Sequence, residues 1–582
     1  MPEVVLVNCR GRIVPERREH LGLGCLSSYL RREGIDTEIV DGHFDRLDAQ
    51  DIARRLGELR PTVVGFTIFF SNQAEALATA RIVRALPSVR HICMGGHHAS
   101  FRPASLLAEP AVDAVVRGEG ELTLTELVRR VRRRQEWRDT PGLACRDEAG
   151  GVRHTAARAL LPDLDALPFP DRSVYRRRLR EEGVADVASS RGCYACCSFC
   201  SVSAFYRLGL GTGWRARSPR HIVDEMEWLA GQGARHVHFV DDNFMGRGEI
   251  GRERARAFGR ELMRRKLDLT FDLDCRPTDV HEETFAFLQT AGLRAVGTGI
   301  ESMIPRQLKL YRKGTTVEQN LRAIETLERL GLDYRLYYIP LDPYATVEEL
   351  IESLEWMERI GLSHFIEGQI PAWLVVLEGT TLIERLRREG VLWTRPDGST
   401  EDFAWGQPYV VRDSRLGPLL PRLYELHHHY VGLREGPLEE LASDNRLVQR
   451  FVQQIDEIIK RHKFDSVRLL LRGAKDGEVK KAWQAVQDRF AELRHGIDQI
   501  RRAKRAGTFR RFATRSFRFG TEIVSFPPRE LAVLVEALAP SQPASKPVRK
   551  TAGLGRGRGR GGRVAKPSTQ EAVVRPLAAG GC

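Results

Sequence analysis

Short apolar runs alternate with helical stretches twice along this chain, and that alternation constrains its fold more than any other feature. A strand followed by an amphipathic segment repeats in this way when the strands lie parallel and the helices cross over between them. The first series runs VVLVN, LGLGCLSSYLRREG, DTEIVD, DAQDIARRLGELR, TVVGFT, NQAEALATARIVRALP, HICMGG, VDAVVRG and ELTLTELVRRVRR. It predicts a five-stranded doubly wound, Rossmann-like α/β domain over residues 1–135. Such sheets take ligands at the carboxyl ends of their strands. One edge is therefore expected to carry Asn8 to Gly11, Gly65 to Asn72 (including Thr67), Gly95 to Ser100 and Gly118 to Glu121.

A second series begins at ADVASSRG and continues through ARHVHFVDDN, LTFDLDCR, RAVGTGIES, LDYRLYYIPL and LSHFIEGQIP, with helical stretches between. Six βα units predict a barrel or partial (βα)6 barrel over 183–395. Asp241, Asp242, Asn243, Arg276, Glu301 and Ser302 fall at strand carboxyl ends, where such folds place reactive groups. Residues 136–182, with PDLDALPFPD and dense charge, read as a linker, and 396–540 as a mostly helical domain. Within the latter, His427, His428 and His429 are expected on a solvated helix face.

The net charge of +14 invites a nucleic-acid reading, but residues 541–582 carry nine Lys and Arg against Glu571 alone, +8 of that total. This Gly/Arg-rich segment lacks aromatic residues and predicts a disordered basic tail, so nucleic acid is not expected as a partner. No apolar stretch approaches the ~18 residues of a spanning helix, and MPEVVLVNCRGRIV does not read as a leader. A cytoplasmic protein without membrane contact is the expectation.

Of ten cysteines, Cys193, Cys196, Cys197 and Cys200 fall within RGCYACCSFC, and in a cytosolic chain such a group points to metal or redox chemistry. Cys193, Cys197 and Cys200 have the spacing C-x3-C-x2-C directly after a predicted strand. Thiolates suit an iron–sulfur cluster, and three of them leave one iron open to a ligand's amino and carboxylate groups. Cys196 keeps two alternatives in play, a zinc site and the register Cys193, Cys196, Cys200.

At these residues the sequence resembles the radical S-adenosylmethionine superfamily, over roughly 183–395. The resemblance implies a [4Fe-4S] cluster on Cys193, Cys197 and Cys200, with Phe199 in the aromatic position before the last cysteine. It implies that Asp241 and Asp242 of VDDNF receive the methionine amino group and that Glu301 of GIES contacts the ribose, although each acid could instead cap the following helix. The first domain resembles the cobalamin-binding domain of one class of these enzymes, through GGHHAS and VRGEGE. Thr67, Gly95, Gly96, Gly118, Glu119 and Gly120 would then be cofactor-binding. NCRGRI stands where that domain type can carry Asp-x-His-x-x-Gly, so no histidine ligand to cobalt is expected from that motif.

What the resemblance implies is a cobalamin-dependent radical S-adenosylmethionine methyltransferase acting on an unactivated carbon of a small molecule, a specialised-metabolite intermediate. The implied chemistry is cleavage of S-adenosylmethionine to a 5′-deoxyadenosyl radical, hydrogen abstraction, and methyl transfer from methylcobalamin, fed by a flavodoxin- or ferredoxin-type electron donor. Ring formation or rearrangement would use the same motifs. RNA modification by sulfur insertion would need a further cysteine trio in the first domain, where Cys9, Cys25 and Cys93 are spread over separate elements.

Overall fold

A computed structural model describes residues 1–11, 19–365, 373–393, 409–433, 446–505, 517–519 and 522–524. The chain divides into two compact units, one spanning 1–413 and the other beginning at Ser414.

The first unit opens with a sheet of β1 (Val4–Asn8), β2 (Thr37–Asp41), β3 (Val63–Thr67), β4 (His91–Gly95), β5 (Ala114–Val116), β6 (Leu143–Arg146) and β7 (Val152–His154), in the order β2-β1-β3-β4-β5-β6-β7. The first five strands are parallel, and β6 and β7 join antiparallel. Alternate residues bury opposite faces: Val5, Val7, Val64, Phe66, Ile92 and Met94 pack into one layer, and Val4, Leu6, Val63, Cys93 and Val116 into the other. Helices cover both faces, as near-continuous apolar strands require. The strand order reverses between β1 and β3, so the topological switch point lies beside Asn8 and Thr67.

The expected five strands are seven. The stretch read as a linker holds β6 and β7, whose turn is stapled by Asp147 Oδ1 accepting from the amides of Ala149 and Gly151. Leu143, Ala144 and Cys145 are buried against the sheet. The charged residues around them, in RDEAGGVRH, hid the alternation.

The second sheet contains β8 (Val184–Val187), β11 (His236–Phe239), β12 (Thr270–Cys275), β13 (Leu293–Glu301) and β14 (Asp333–Tyr338), parallel throughout, in the order β14-β13-β12-β11-β8. A short antiparallel pair, β9 (Ser190–Arg191) and β10 (Arg215–Ala216), follows β8. Of the sixth expected strand, Phe365 bridges Leu336 in parallel, and 366–372 lie outside the described residues. Phe239 and Phe271 pack edge-on against Phe258 of helix Gly248–Arg265, which fixes the helix-facing side of the sheet. The alternate positions, His236, His238, Asp272 and Asp274, face the other side.

The second unit contains helices Leu420–Leu433, Arg446–Lys475 and Val479–Arg505, and a hairpin of β15 (Phe517–Phe519) and β16 (Glu522–Val524). The histidine run is not uniformly solvated. His427 is buried and accepts a hydrogen bond from Lys463 Nζ at 2.8 Å, His429 stacks on Phe490, and His428 alone is exposed. The proposed tail, 541–582, lies outside the described residues.

Candidate functional site

The cysteine segment starts where β9 ends. Gly192 has φ +83° and lies against the Gly213 carbonyl, so a side chain there would collide with backbone. Cys193, Cys197 and Cys200 are half-buried and Cys196 is exposed. Ser198 pins the loop from within: its amide donates to Tyr311 O at 2.8 Å, its hydroxyl to Leu310 O at 2.7 Å, and its carbonyl accepts from the Leu382 amide. Phe199 packs edge-on against Tyr311 at 5.4 Å, inside an apolar cluster with Leu374 and Ile383. Arg276, at the end of β12, donates to Cys197 Sγ at 3.4 Å. Among the described residues no three His, Cys, Asp or Glu side chains gather as the ligands of one ion would. The three thiols share one loop, with a guanidinium beside one of them.

The carboxylates of VDDNF divide. Asp241 is buried and accepts from the Ser189 amide (3.0 Å) and hydroxyl (2.8 Å) and from the Ser190 hydroxyl; burial nevertheless raises its carboxyl above the ordinary range. It ties the end of β8 to the end of β11. Asp242 accepts from the Gly192 amide at 3.1 Å. Its side chain is solvent-accessible but sits deep among protein atoms, and that desolvation pushes the carboxyl up to about 6. Glu301 has φ +58° and pairs with Lys313 Nζ at 2.8 Å, both nearly buried. Burial opposes the Lys313 charge, but Glu301 prevails and holds the ammonium above its ordinary range. A side chain at Gly299 would overlap this pair.

Along the carboxyl edge of the first sheet, Asn8, Asp41, His20, Thr67, Asn72 and Tyr175 form one hydrogen-bonded network. Asn8 Nδ2 donates to Asp41 Oδ1 (3.0 Å), Tyr175 OH to Asp41 Oδ2, and the His20 amide to Tyr175 OH (3.0 Å). His20 Nδ1 accepts from the Leu23 amide, and its Nε2 pairs with Thr67 Oγ1 at 3.1 Å. Burial lowers the pKa of this histidine. Gly95 ends β4; Gly96, at φ +100°, has the Thr67 hydroxyl and the Ile68 backbone within 3.2–3.4 Å of a would-be Cβ. Gly118, at φ +73°, donates its amide to Ser100 Oγ, and a Cβ on Gly120 would meet Leu26. Phe69, two residues beyond Thr67, is 41% exposed. These glycines let neighbouring side chains and backbone pack closely against the loops.

Glu119 behaves unlike its glycine neighbours. Both carboxylate oxygens are taken by Arg215 (2.7 and 3.1 Å), and Oε1 also by Arg191 (3.0 Å). Sequence reasoning missed this, and also the polar side of the second sheet. There Tyr337 OH donates to Asp274 Oδ2 at 2.8 Å, Asp272 pairs with His238, and Asp274 Oδ1 has no hydrogen-bond partner among the described residues. The available signal was the period-two spacing in HVHF, FDLDC and YRLYY.

Residues 187–357 match the radical SAM superfamily model, and residues 11–128 match the B12 binding domain. Over 326 residues the chain is 32% identical to an uncharacterized methyltransferase of Pyrococcus horikoshii, covering 55% of this chain and 69% of that protein. It is 31% identical over 321 residues to the anaerobic magnesium-protoporphyrin IX monomethyl ester cyclase of Rubrivivax gelatinosus, covering 53% and 56%. The solved cobalamin-dependent S-adenosylmethionine radical enzyme OxsB with aqua-cobalamin bound superposes with a TM-score of 0.72 at 18% identity, covering 92% of this chain and 84% of that one, a likeness of fold. The chain belongs to the cobalamin-dependent radical S-adenosylmethionine methyltransferase family. It is an enzyme whose cofactors are a [4Fe-4S] cluster, S-adenosylmethionine and cobalamin. No helix among the described residues is long and apolar enough to cross a membrane.

Proposed function

We propose that the protein methylates an unactivated carbon of a small-molecule intermediate, with Cys193, Cys197 and Cys200 holding the cluster and the first sheet's glycine-lined edge holding cobalamin. The observation that carries this reading is the presence, in one compact unit, of a pinned three-cysteine loop beside the second sheet and of glycine-bearing loops at the carboxyl edge of the first. Together these cofactors supply hydrogen abstraction from carbon and a transferable methyl group, chemistry that methylation of an oxygen or nitrogen does not require. Phe199 shields one side of the loop, and Arg276 offsets thiolate charge at Cys197. Asp242 and the Glu301–Lys313 pair offer an acceptor and a donor at the ends of β11 and β13, suited to the ammonium and ribose of S-adenosylmethionine. Asp241 orients the loop through Ser189 and Ser190. His20 Nε2 pairs with Thr67 Oγ1 and His98 Nε2 with Gln73 Oε1, which supports a cobalt without either as a ligand. A flavodoxin- or ferredoxin-type protein would supply electrons.

The similarity to a cyclase supports ring formation as a second reading on the same scaffold. Incubating the reconstituted protein and a reductant with CD3-labelled S-adenosylmethionine and small-molecule extracts separates the two. Methylation predicts a product retaining all three deuterons on carbon. A cyclised product without label, or label confined to RNA, would overturn the proposal.

A further inference from the structure

The two glycine-bearing loops that follow β4 and β5 of the first sheet also grip both ends of the cysteine segment. At its start, Arg191 lies two residues before Cys193 and donates to Glu119 Oε1 at 3.0 Å and Glu121 Oε1 at 2.6 Å. Arg215, paired with Arg191 in the β9–β10 ladder, makes two further bonds to Glu119 and one to Leu161 O. All four side chains are at most 17% exposed. At its end, helix Ser201–Tyr206 follows Cys200 directly, and Phe205 stacks on His97 with ring centroids 4.0 Å apart and planes 13° from parallel. Tyr206 lies under the Arg215 guanidinium at 5.4 Å. The two gripping loops are themselves joined, because Ser100 Oγ accepts from the Gly118 amide and donates to Gly96 O.

Buried ion pairs of this kind contribute little net stability but are costly to break, since one charge is then left unpaired. Placed on either side of a cofactor loop, they set geometry. Burial opposes ionisation of Glu119, yet Arg215 and Arg191 hold its carboxyl below the ordinary range. We infer that Glu119 and Glu121, with His97, are positioning residues that clamp the cluster-binding segment Arg191–Tyr206 to the cobalamin-binding loops, so that the distance between the two cofactors is fixed by this contact. Glu119 then acts on the cysteine loop through Arg191 and Arg215 and does not touch the corrin. The cofactor half of this inference rests on the proposed function; the clamp itself does not.

The test uses full-length protein and three variants: the isosteric double substitution Glu119→Gln with Glu121→Gln, the milder Arg215→Lys should the double variant fail to fold, and His97→Ala. Amide hydrogen exchange of the chain without cofactors reads the clamp alone. Peptides covering 189–193 and 215–216 should exchange about tenfold faster or more, while those from β1 and β3 are unchanged. His97→Ala should produce the same loosening at 201–206. Exchange that rises only at 117–121, or evenly across the whole unit, would overturn the inference. In reconstituted protein, the pulsed dipolar spectrum between Co(II) and the reduced cluster should broaden in the variants with iron and corrinoid contents unchanged. An unaltered distance distribution would overturn the positioning role. A wild-type chain that binds no corrinoid would refute the functional reading and leave the exchange result to decide the clamp.

Discussion

The carboxyl edges of the two parallel sheets differ in how their polar groups are used. Along the first, Asn8, Asp41, His20, Thr67 and Tyr175 bond to one another, and glycines at 95, 96, 118 and 120 let the loops pack closely. Along the second, three half-buried thiols, a guanidinium directed at one of them, an accessible Asp242 and a buried Glu301–Lys313 pair stand close to the strand ends. On the proposed reading, one architecture yields an edge for a large preassembled ligand and an edge that gathers charge for a cluster and a zwitterionic cosubstrate. The sheet supplies the location, and the residues in the first turn beyond each strand decide the chemistry.

The sharpest break of this contrast lies at the cysteines. Replacing Cys193, Cys197 or Cys200 singly with Ala should abolish iron binding almost entirely, whereas Cys196→Ala should keep it, because Cys196 is exposed and its thiol lies beside Arg207. Iron loss in Cys196→Ala would shift the register. Next in size is Lys313→Met, which leaves Glu301 buried and unpaired. It should cost about 3–5 kcal/mol in denaturant unfolding, and Glu301→Gln on the same background should recover much of that loss. On the first edge, Gly96→Ala must hold φ near +100° against the Thr67 hydroxyl. It should lose up to about 3 kcal/mol and most corrinoid retention, with iron content unchanged.

The smallest effect comes from pH. Burial lowers His91 to about 4, below its ordinary 6.5, so the unfolded chain takes up the proton first. Stability that is fully present above pH 6.5 is therefore lost as pH falls toward 4. Between pH 7 and 5 this amounts to about 2 kcal/mol, and His91→Phe should flatten the slope by that amount.

Much of this was legible in the sequence. Strand–helix alternation gave both sheets, and the C-x3-C-x2-C spacing located the thiol loop, because each depends on local pattern. The β6–β7 hairpin was missed because its strands are short and charged outside their buried faces. The partners of Glu119 were illegible for a different reason: GEGE reads as a turn, and nothing local announces that Arg191 and Arg215, some 70 and 96 residues away, will close on it. The Glu301–Lys313 pair was equally illegible, since neither GIES nor RKG announces the left-handed backbone at Glu301 or the ammonium that closes on it.

The central claim is that one chain holds a cluster on the second edge and cobalamin on the first, with no protein nitrogen on cobalt. Anaerobic reconstitution of the full-length protein, followed by iron analysis, an absorption spectrum and electron paramagnetic resonance of the Co(II) state, tests it directly. The account predicts iron for one [4Fe-4S] cluster, stoichiometric corrinoid, and a base-off Co(II) signal without nitrogen superhyperfine splitting. Full iron with no retained corrinoid, or a Co(II) signal split by a histidine nitrogen, would contradict it.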